Sequence, residues 1–149
     1  LARELALESA EAMAIANALR RALVARRESF AFETVFSDPV QDKLNFLVET
    51  AALGYTVVLC YIGLESAELS EQRVAMRVAQ GGHDVPTDRI QSRFPRSLAN
   101  LHAAIQRLPH VLVFDNSDLG RPYRLLATYA HGQSIDRAET IPMWFTAPQ

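Results

Sequence analysis

The chain has 149 residues, of which 49% are hydrophobic and 21% are charged. This composition excludes an intrinsically disordered chain and suffices for one core, so we predict a single domain over residues 1–149. The formal net charge of −2 argues against nucleic-acid binding through overall charge.

The cysteine count and the hydropathy pattern exclude further classes. The lone cysteine, Cys60, rules out an internal disulfide framework, and its apolar surroundings predict a small buried residue. The chain shows no Cys/His cluster typical of zinc sites, so we predict no metal bound directly by its side chains. We also see no signal peptide and no apolar run long enough for a membrane span, and we expect a cytoplasmic protein without membrane contacts.

Helical and strand patterns alternate along the chain, which predicts an α/β fold with a parallel sheet and helices on both faces. Residues 2–26 form an amphipathic helix whose apolar stripe, including Ile15 and Leu19, is expected to pack against the core. The continuous apolar run 55–64 is typical of a strand covered on both faces. The other predicted elements are helices at 39–53 and in two segments between 66 and 108, and strands at 29–35, 110–116, 123–129 and 140–145.

Arginines concentrate in the two helices between residues 66 and 108, which a Gly-Gly-His turn separates. Arg73 and Arg77 are four residues apart and therefore lie on one helix face, and Arg93 belongs to the polar face of the second helix. Because guanidinium forks match phosphate oxygens, the pattern predicts a mobile helical lid that closes arginines over phosphate. Two solvated helix faces joined by a glycine C-cap explain the same residues.

Polar residues also follow two of the predicted strands. Glu33 and Thr34 close the first strand, where a carboxylate is costly unless it binds a partner or faces solvent. Asn116 and Ser117 follow the 110–116 strand, where they could contact a nucleotide base. An ordinary Asx turn accounts equally for Asn116 and its neighbour Asp115.

Three blocks of the chain together resemble the zeta-toxin-like family of P-loop kinases. They are SFAFET at 29–34, the RV..RV..GGH.VP....I..R...SL.NL pattern from residue 73 to residue 101, and VFDNS at 113–117. The resemblance implies a three-layer, nucleotide-kinase-like P-loop fold with a lid at 66–107. It also implies an enzyme that uses ATP with Mg²⁺ to phosphorylate a small molecule, which in the characterised toxins is the sugar nucleotide UDP-N-acetylglucosamine.

The resemblance further implies roles for individual residues. Arg73, Arg77 and Arg93 correspond to lid arginines that grip phosphates, and charge neutralisation of this kind carries most of the catalysis of phosphoryl transfer. Glu33 and Thr34 align with a motif that meets the acceptor. Gly81, Gly82 and His83 correspond to a lid hinge, although ordinary turn chemistry explains them as well. An antitoxin protein is a candidate partner.

The chain departs from the family pattern at its start. It contains no GxxxxGK[ST] sequence, and its lone lysine, Lys43, belongs to a predicted surface helix. We expect the phosphate-binding loop and the catalytic Asp to lie upstream of Leu1, so that this chain alone is inactive. The alternative is a diverged, non-catalytic module that binds a nucleotide or a protein. An upstream GKS or GKT followed by an Asp would favour the kinase.

Overall fold

The computed structural model describes the backbone of residues 2–145 and the side chains of residues 11–145. The chain divides into two compact units, the first ending at Thr34 and the second beginning at Val35. No helix within residues 2–145 has both the length and the apolar character that a membrane span requires.

The first unit contains the predicted long helix, α1, which spans Ala2–Ala25. After a turn at Arg27 the chain continues without regular secondary structure to Thr34. The Arg20 guanidinium lies 4.7 Å from the centre of the Phe32 ring, a cation–π contact between the helix and this segment. The expected burial of the apolar stripe is wrong for Ile15 and Leu19, which are 70% and 58% exposed.

The predicted strand at 29–35 is not part of the sheet. Phe30 and Phe32 are half-buried and stack with ring centres 6.2 Å apart, whereas Val35 is 62% exposed. Aromatic and β-branched residues favour a strand, but a strand also needs a neighbour with which to form its ladder. The sheet of the described chain is built from other segments.

Up to residue 145, the second unit contains three helices and four strands. In chain order they are α2 (Asp42–Ala52), β1 (Val58–Gly63), α3 (Ala67–Ala79), α4 (Thr87–Arg107), β2 (His110–Asp115), β3 (Arg124–Ala130) and β4 (Gln133–Arg137). Gly54 follows α2 with a φ of 91°, the left-handed conformation in which glycine commonly ends a helix. The two predicted arginine-bearing helices are α3 and α4.

The sheet is mixed, with the strand order β1-β2-β3-β4. β1 and β2 are parallel, as predicted, but β2–β3 and β3–β4 are antiparallel. The expectation of a sheet that is parallel throughout is therefore wrong. A parallel connection needs a crossover of about a dozen residues or more, and the segment 116–123 between β2 and β3 is too short for one.

The core lies on one face of the sheet, against α2 and α4. Its completely buried side chains come from both helices and from the central strands, among them Leu44, Leu101, Ile105, Val111 and Val113. β1 alternates instead of being covered on both faces, because Val58, Cys60 and Ile62 are exposed. The predictions of a buried Cys60 and of helices on both faces of the sheet are thus not met in this unit.

The C-terminal segment differs from its prediction. Residues 140–145 form no strand, but their turn inserts Trp144 and Phe145 into the core, where they are 8% and 0% exposed. The strand at 133–137 has no sequence signal, because all five of its residues are exposed and no apolar alternation marks them.

Candidate functional site

The carboxyl ends of β1 and β2 lie side by side, since Gly63 is the register partner of Asp115. The Asn116 N–H extends this pairing by donating to the Gly63 carbonyl at 2.9 Å. Open α/β sheets bind ligands outside the carboxyl ends of parallel strands. An open cavity of about 300 Å³ lies at this edge, lined by Glu65, Asp115, Ser117, Asp118, Arg121, Arg124, Thr140 and Pro142.

The Asp115 carboxylate forms several hydrogen bonds at this edge of the sheet. Its Oδ1 accepts hydrogen bonds from the Ser117 hydroxyl at 2.6 Å and the Trp144 indole N–H at 3.4 Å. Its Oδ2 faces the Arg124 guanidinium at 3.2 Å. Burial alone would raise the pKa of Asp115, but the hydrogen bonds from Ser117, Arg124 and Trp144 outweigh it and hold that pKa below its ordinary value.

Asn116 and Ser117, the predicted base-binding pair, organise the loop after β2. The Ser117 N–H donates to Asp115 Oδ1 at 3.1 Å, which is the Asx turn that the sequence also allowed. The Asn116 side-chain oxygen accepts from the Tyr123 N–H at 3.3 Å. Both side chains therefore hold the loop in shape, and contact with a nucleotide base stays a prediction.

Arg73 joins α3 to this same loop. One of its terminal nitrogens, Nη2, donates to the backbone carbonyls of Asn116 and Ser117, both at 3.2 Å. The side chain is half-buried. Within residues 11–145 its Nη1 and Nε make no hydrogen bond, so three N–H donors beside the strand ends are free for a ligand.

Arg77 and the glycine turn interact within the helical hairpin. The Arg77 Nη2 donates to the His83 carbonyl at 3.2 Å, and its own carbonyl accepts the Gly82 N–H at 2.9 Å. Gly81 has a φ of 88°, which favours glycine, and a Cβ on Gly82 would collide with the Arg77 side chain. Gly81, Gly82 and His83 thus form the exposed turn between α3 and α4, and a hinge role stays a prediction.

Arg93 lies in the first half of α4 and is half-buried. In the described part of the chain its guanidinium forms no hydrogen bond and no ion pair. All five N–H donors of this positively charged side chain are therefore available to a ligand. Arg73 and Arg77, in contrast, each use donors in hydrogen bonds to backbone carbonyls.

Glu33 and Thr34 end the first unit, and both are exposed. Earlier in that unit, the Phe30 and Phe32 rings stack on each other and the Arg20 guanidinium lies over the Phe32 ring. Glu33 therefore faces solvent, where a carboxylate carries little desolvation cost, although it does not end a strand in this structure. Its role toward an acceptor stays a prediction.

Sequence reasoning missed the C-terminal wall of the cavity. The Arg124 Nη1 donates to the Thr140 carbonyl at 3.1 Å, which ties β3 to the segment that carries Trp144. The one available signal was the lone tryptophan of the chain, because a large side chain with a single N–H is usually buried beside an acceptor. Within the described range, no group of three or more His, Cys, Asp or Glu side chains is placed to hold a metal ion.

Comparison with known proteins gives one match. A protein-family model described as Zeta toxin matches residues 3–124, which is most of the chain. No curated protein and no solved structure matches this chain. The matched range begins at the second residue of α1, includes the elements through β2 and the loop with Asn116 and Ser117, and ends at the first residue of β3.

Proposed function

Because the chain belongs to the zeta toxin family of P-loop kinase-like, nucleotide-binding proteins, we propose that it functions in ATP-dependent phosphoryl transfer to a small molecule. In this proposal the γ-phosphoryl group passes to a sugar nucleotide such as UDP-N-acetylglucosamine, or to a similar small metabolite. Magnesium would arrive with the triphosphate and neutralise part of its charge.

The observation that carries the proposal is the position of Arg73. It reaches from α3 to the carbonyls of Asn116 and Ser117, at the edge of the sheet where α/β proteins bind ligands. The two carbonyls fix the guanidinium plane and leave its remaining donors for an anion. A pre-oriented guanidinium loses little conformational entropy when it binds phosphate.

Arg77 and Arg93 add charge from the same helical hairpin. Arg93 is free of protein partners within the described residues, and the single Arg77 bond to the exposed His83 carbonyl is readily exchanged for a charge-assisted bond to phosphate. The proposed lid, residues 66–107, would close these side chains over the triphosphate.

Transfer itself needs one bond to form and one to break. An acceptor hydroxyl oxygen bonds to the γ-phosphorus while the bond from that phosphorus to the bridging oxygen breaks, so that ADP leaves and the hydroxyl proton passes to a base. Glu33 would accept a hydrogen bond from the acceptor and Thr34 would help to orient it. The arginines would neutralise the charge that spreads over the phosphoryl oxygens in the loose transition state.

A γ-phosphoryl transfer assay tests the proposal. The product of the complete reading frame is incubated with labelled ATP, Mg²⁺ and a panel of nucleotide sugars and other hydroxyl metabolites. We expect label on at least one nucleotide sugar and a turnover at least tenfold lower in Arg77→Ala. ATP binding without transfer to any acceptor would favour the non-catalytic module, and a protein that neither binds ATP nor transfers phosphate would overturn the proposal.

A further inference from the structure

Tyr61 links the middle of β1 to α4 through its hydroxyl group. The Tyr61 and Ser97 hydroxyl oxygens lie 3.0 Å apart, in a partly buried hydrogen bond between the strand and the helix. The centre of the Tyr61 ring is 6.3 Å from that of Trp144, whose indole N–H donates to Asp115. A series of contacts therefore runs from the end of β2 at the cavity to one turn of α4.

The Tyr61 hydroxyl is suited to a lasting hydrogen bond. Burial raises the pKa of Tyr61 above its ordinary value, and the hydrogen bond with Ser97 opposes this rise only in part. The hydroxyl therefore keeps its proton at neutral pH and is available as a donor to Ser97.

Ser97 follows Arg93 by one turn of α4. Side chains four residues apart on a helix lie on the same face, one above the other. Arg93 is half-buried, and in the described part of the chain its guanidinium has no hydrogen bond or ion pair that would fix it. The place from which this side chain extends therefore depends on how the neighbouring turn of α4 is held.

The helix is weakened between these two residues and held after them. Pro95 has no N–H, so the carbonyl four residues earlier lacks its helical bond, and helices commonly bend at such a position. Further along, the buried Asn100 donates to the Phe36 and Asp38 carbonyls at 3.1 Å and 3.0 Å and so holds the 36–38 turn. Of these two anchored positions in α4, Ser97 is the nearer to the proline.

We propose that Tyr61 is a positioning residue for Arg93 and acts through Ser97. The hydroxyl pair fixes the turn of α4 that follows Pro95, and this turn sets the place from which Arg93 extends toward the triphosphate. Tyr61 itself touches neither the nucleotide nor the acceptor in this arrangement. Because a misplacement of about 1 Å can lower a rate about 100-fold, a hydroxyl remote from the phosphate can still affect turnover. This inference rests on the proposed kinase function.

The substitutions Tyr61→Phe and Ser97→Ala test the inference, because each removes one of the two hydroxyl groups and leaves most of the packing unchanged. The matched control is Thr50→Val, which removes another partly buried hydrogen bond, from the Thr50 hydroxyl to the Phe46 carbonyl at 2.7 Å. The two single variants, the double variant and the control are made in the product of the complete reading frame. Phosphoryl transfer is measured with UDP-N-acetylglucosamine as the acceptor probe, and ATP binding is measured by calorimetry.

We expect kcat to fall at least fivefold in each single variant while the ATP Kd stays within threefold of wild type, since Arg93 acts on charge that develops in the transition state. The double variant should lose no more than about twofold beyond the single variants, because both substitutions break the same bond. Amide hydrogen exchange should accelerate within residues 89–96 of these variants. The Thr50→Val control should change neither kcat nor exchange in this range.

An unchanged kcat, losses that multiply in the double variant, or an equal loss in Thr50→Val would overturn the inference. Unchanged exchange within residues 89–96 would also overturn it. If one single variant does not fold, the other decides. A wild-type protein that transfers no phosphate overturns the proposed function instead, and the exchange measurement then still decides whether the Tyr61–Ser97 pair fixes this turn of α4.

Discussion

Gly63 lies directly against the indole ring of Trp144. A Cβ built on Gly63 would overlap three atoms of the six-membered ring, so no larger residue fits at the end of β1 without displacing the tryptophan. The same indole donates its N–H to Asp115, the register partner of Gly63. The end of β1, the end of β2 and the C-terminal segment are thereby packed into one unit at the edge of the sheet that lines the cavity.

We predict that Gly63→Ala lowers the free energy of unfolding by about 2 kcal/mol, because overpacking of a buried site forces neighbouring groups to shift. Thermal or urea denaturation followed by the fluorescence of Trp144, the one tryptophan of the chain, measures the effect. In Gly120→Ala the new Cβ would meet only the exposed Asp118 carboxylate, so this control should lose far less stability. Equal stabilities for the two variants would contradict the packing described here.

Asp115→Asn should destabilise the protein by at least about 1 kcal/mol at pH 7, because it weakens charge-assisted bonds with Ser117 and Arg124. Urea denaturation at neutral pH measures this loss. The matched control is Asp118→Asn, whose exposed pairing with Arg121 contributes little. A stability unchanged in Asp115→Asn would mean that the carboxylate is not needed as an acceptor.

The contribution of Asp115 should also depend on pH. Its pKa is lower in the folded protein than its ordinary value of about 4, so its ionised form stabilises the fold. The stability difference between wild type and Asp115→Asn should therefore be constant above about pH 5 and shrink as the pH falls below about 4. A difference that instead grew on acidification would show that the pKa is raised.

Substitution of Arg93 should lower activity alone, whereas substitution of Arg73 should lower both activity and stability. Arg93→Ala should lower turnover at least tenfold with no loss of thermal stability, since Arg93 has no partner among the described residues. Arg73→Ala should lower turnover and also cost about 1 kcal/mol, because it removes two hydrogen bonds to the loop after β2. Steady-state kinetics and thermal denaturation of both variants test this, and an Arg93→Ala variant with wild-type turnover would contradict a phosphate role for that side chain.

A proline, Pro95, lies inside α4. Downstream, Ser97 pairs with the Tyr61 hydroxyl at 3.0 Å and Asn100 holds the 36–38 turn. At Pro95 itself the helix lacks one N–H donor, which leaves the carbonyl four residues earlier without its helical bond. We predict that Pro95→Ala stabilises the protein by about 1 kcal/mol. Urea denaturation measures this, with Pro39→Ala in an exposed turn as a control that should lose stability, and a destabilised Pro95→Ala would contradict the prediction.

The local signals in the sequence predicted much of the second unit. Periodic apolar residues located α2 and α4, and Gly54 and Gly81 do have the positive φ that such helix ends require. The apolar runs located β1 and β2 and their parallel pairing. These features depend on residues close together in the chain, so they can be predicted without knowledge of the tertiary structure.

The predictions that were wrong or missing concern features that depend on residues far apart in the sequence. Residues 29–35 have strand composition, but pairing depends on a neighbour that composition does not specify. β4 is exposed throughout and carries no pattern, and the direction of β3 depends on the length of the preceding loop. Within the site, the sequence located Arg73 and Asn116, but it could not show that the guanidinium would meet the Asn116 carbonyl across forty-three positions.

The central claim is that arginines of the helical hairpin neutralise a triphosphate during phosphoryl transfer. The most direct test compares wild type, Arg93→Ala and the exposed control Arg137→Ala for transfer of labelled γ-phosphate from ATP to UDP-N-acetylglucosamine, using the product of the complete reading frame. We predict labelled sugar nucleotide at equal rates for wild type and Arg137→Ala, and a rate at least tenfold lower for Arg93→Ala. Transfer at the same rate by all three proteins would contradict the claim.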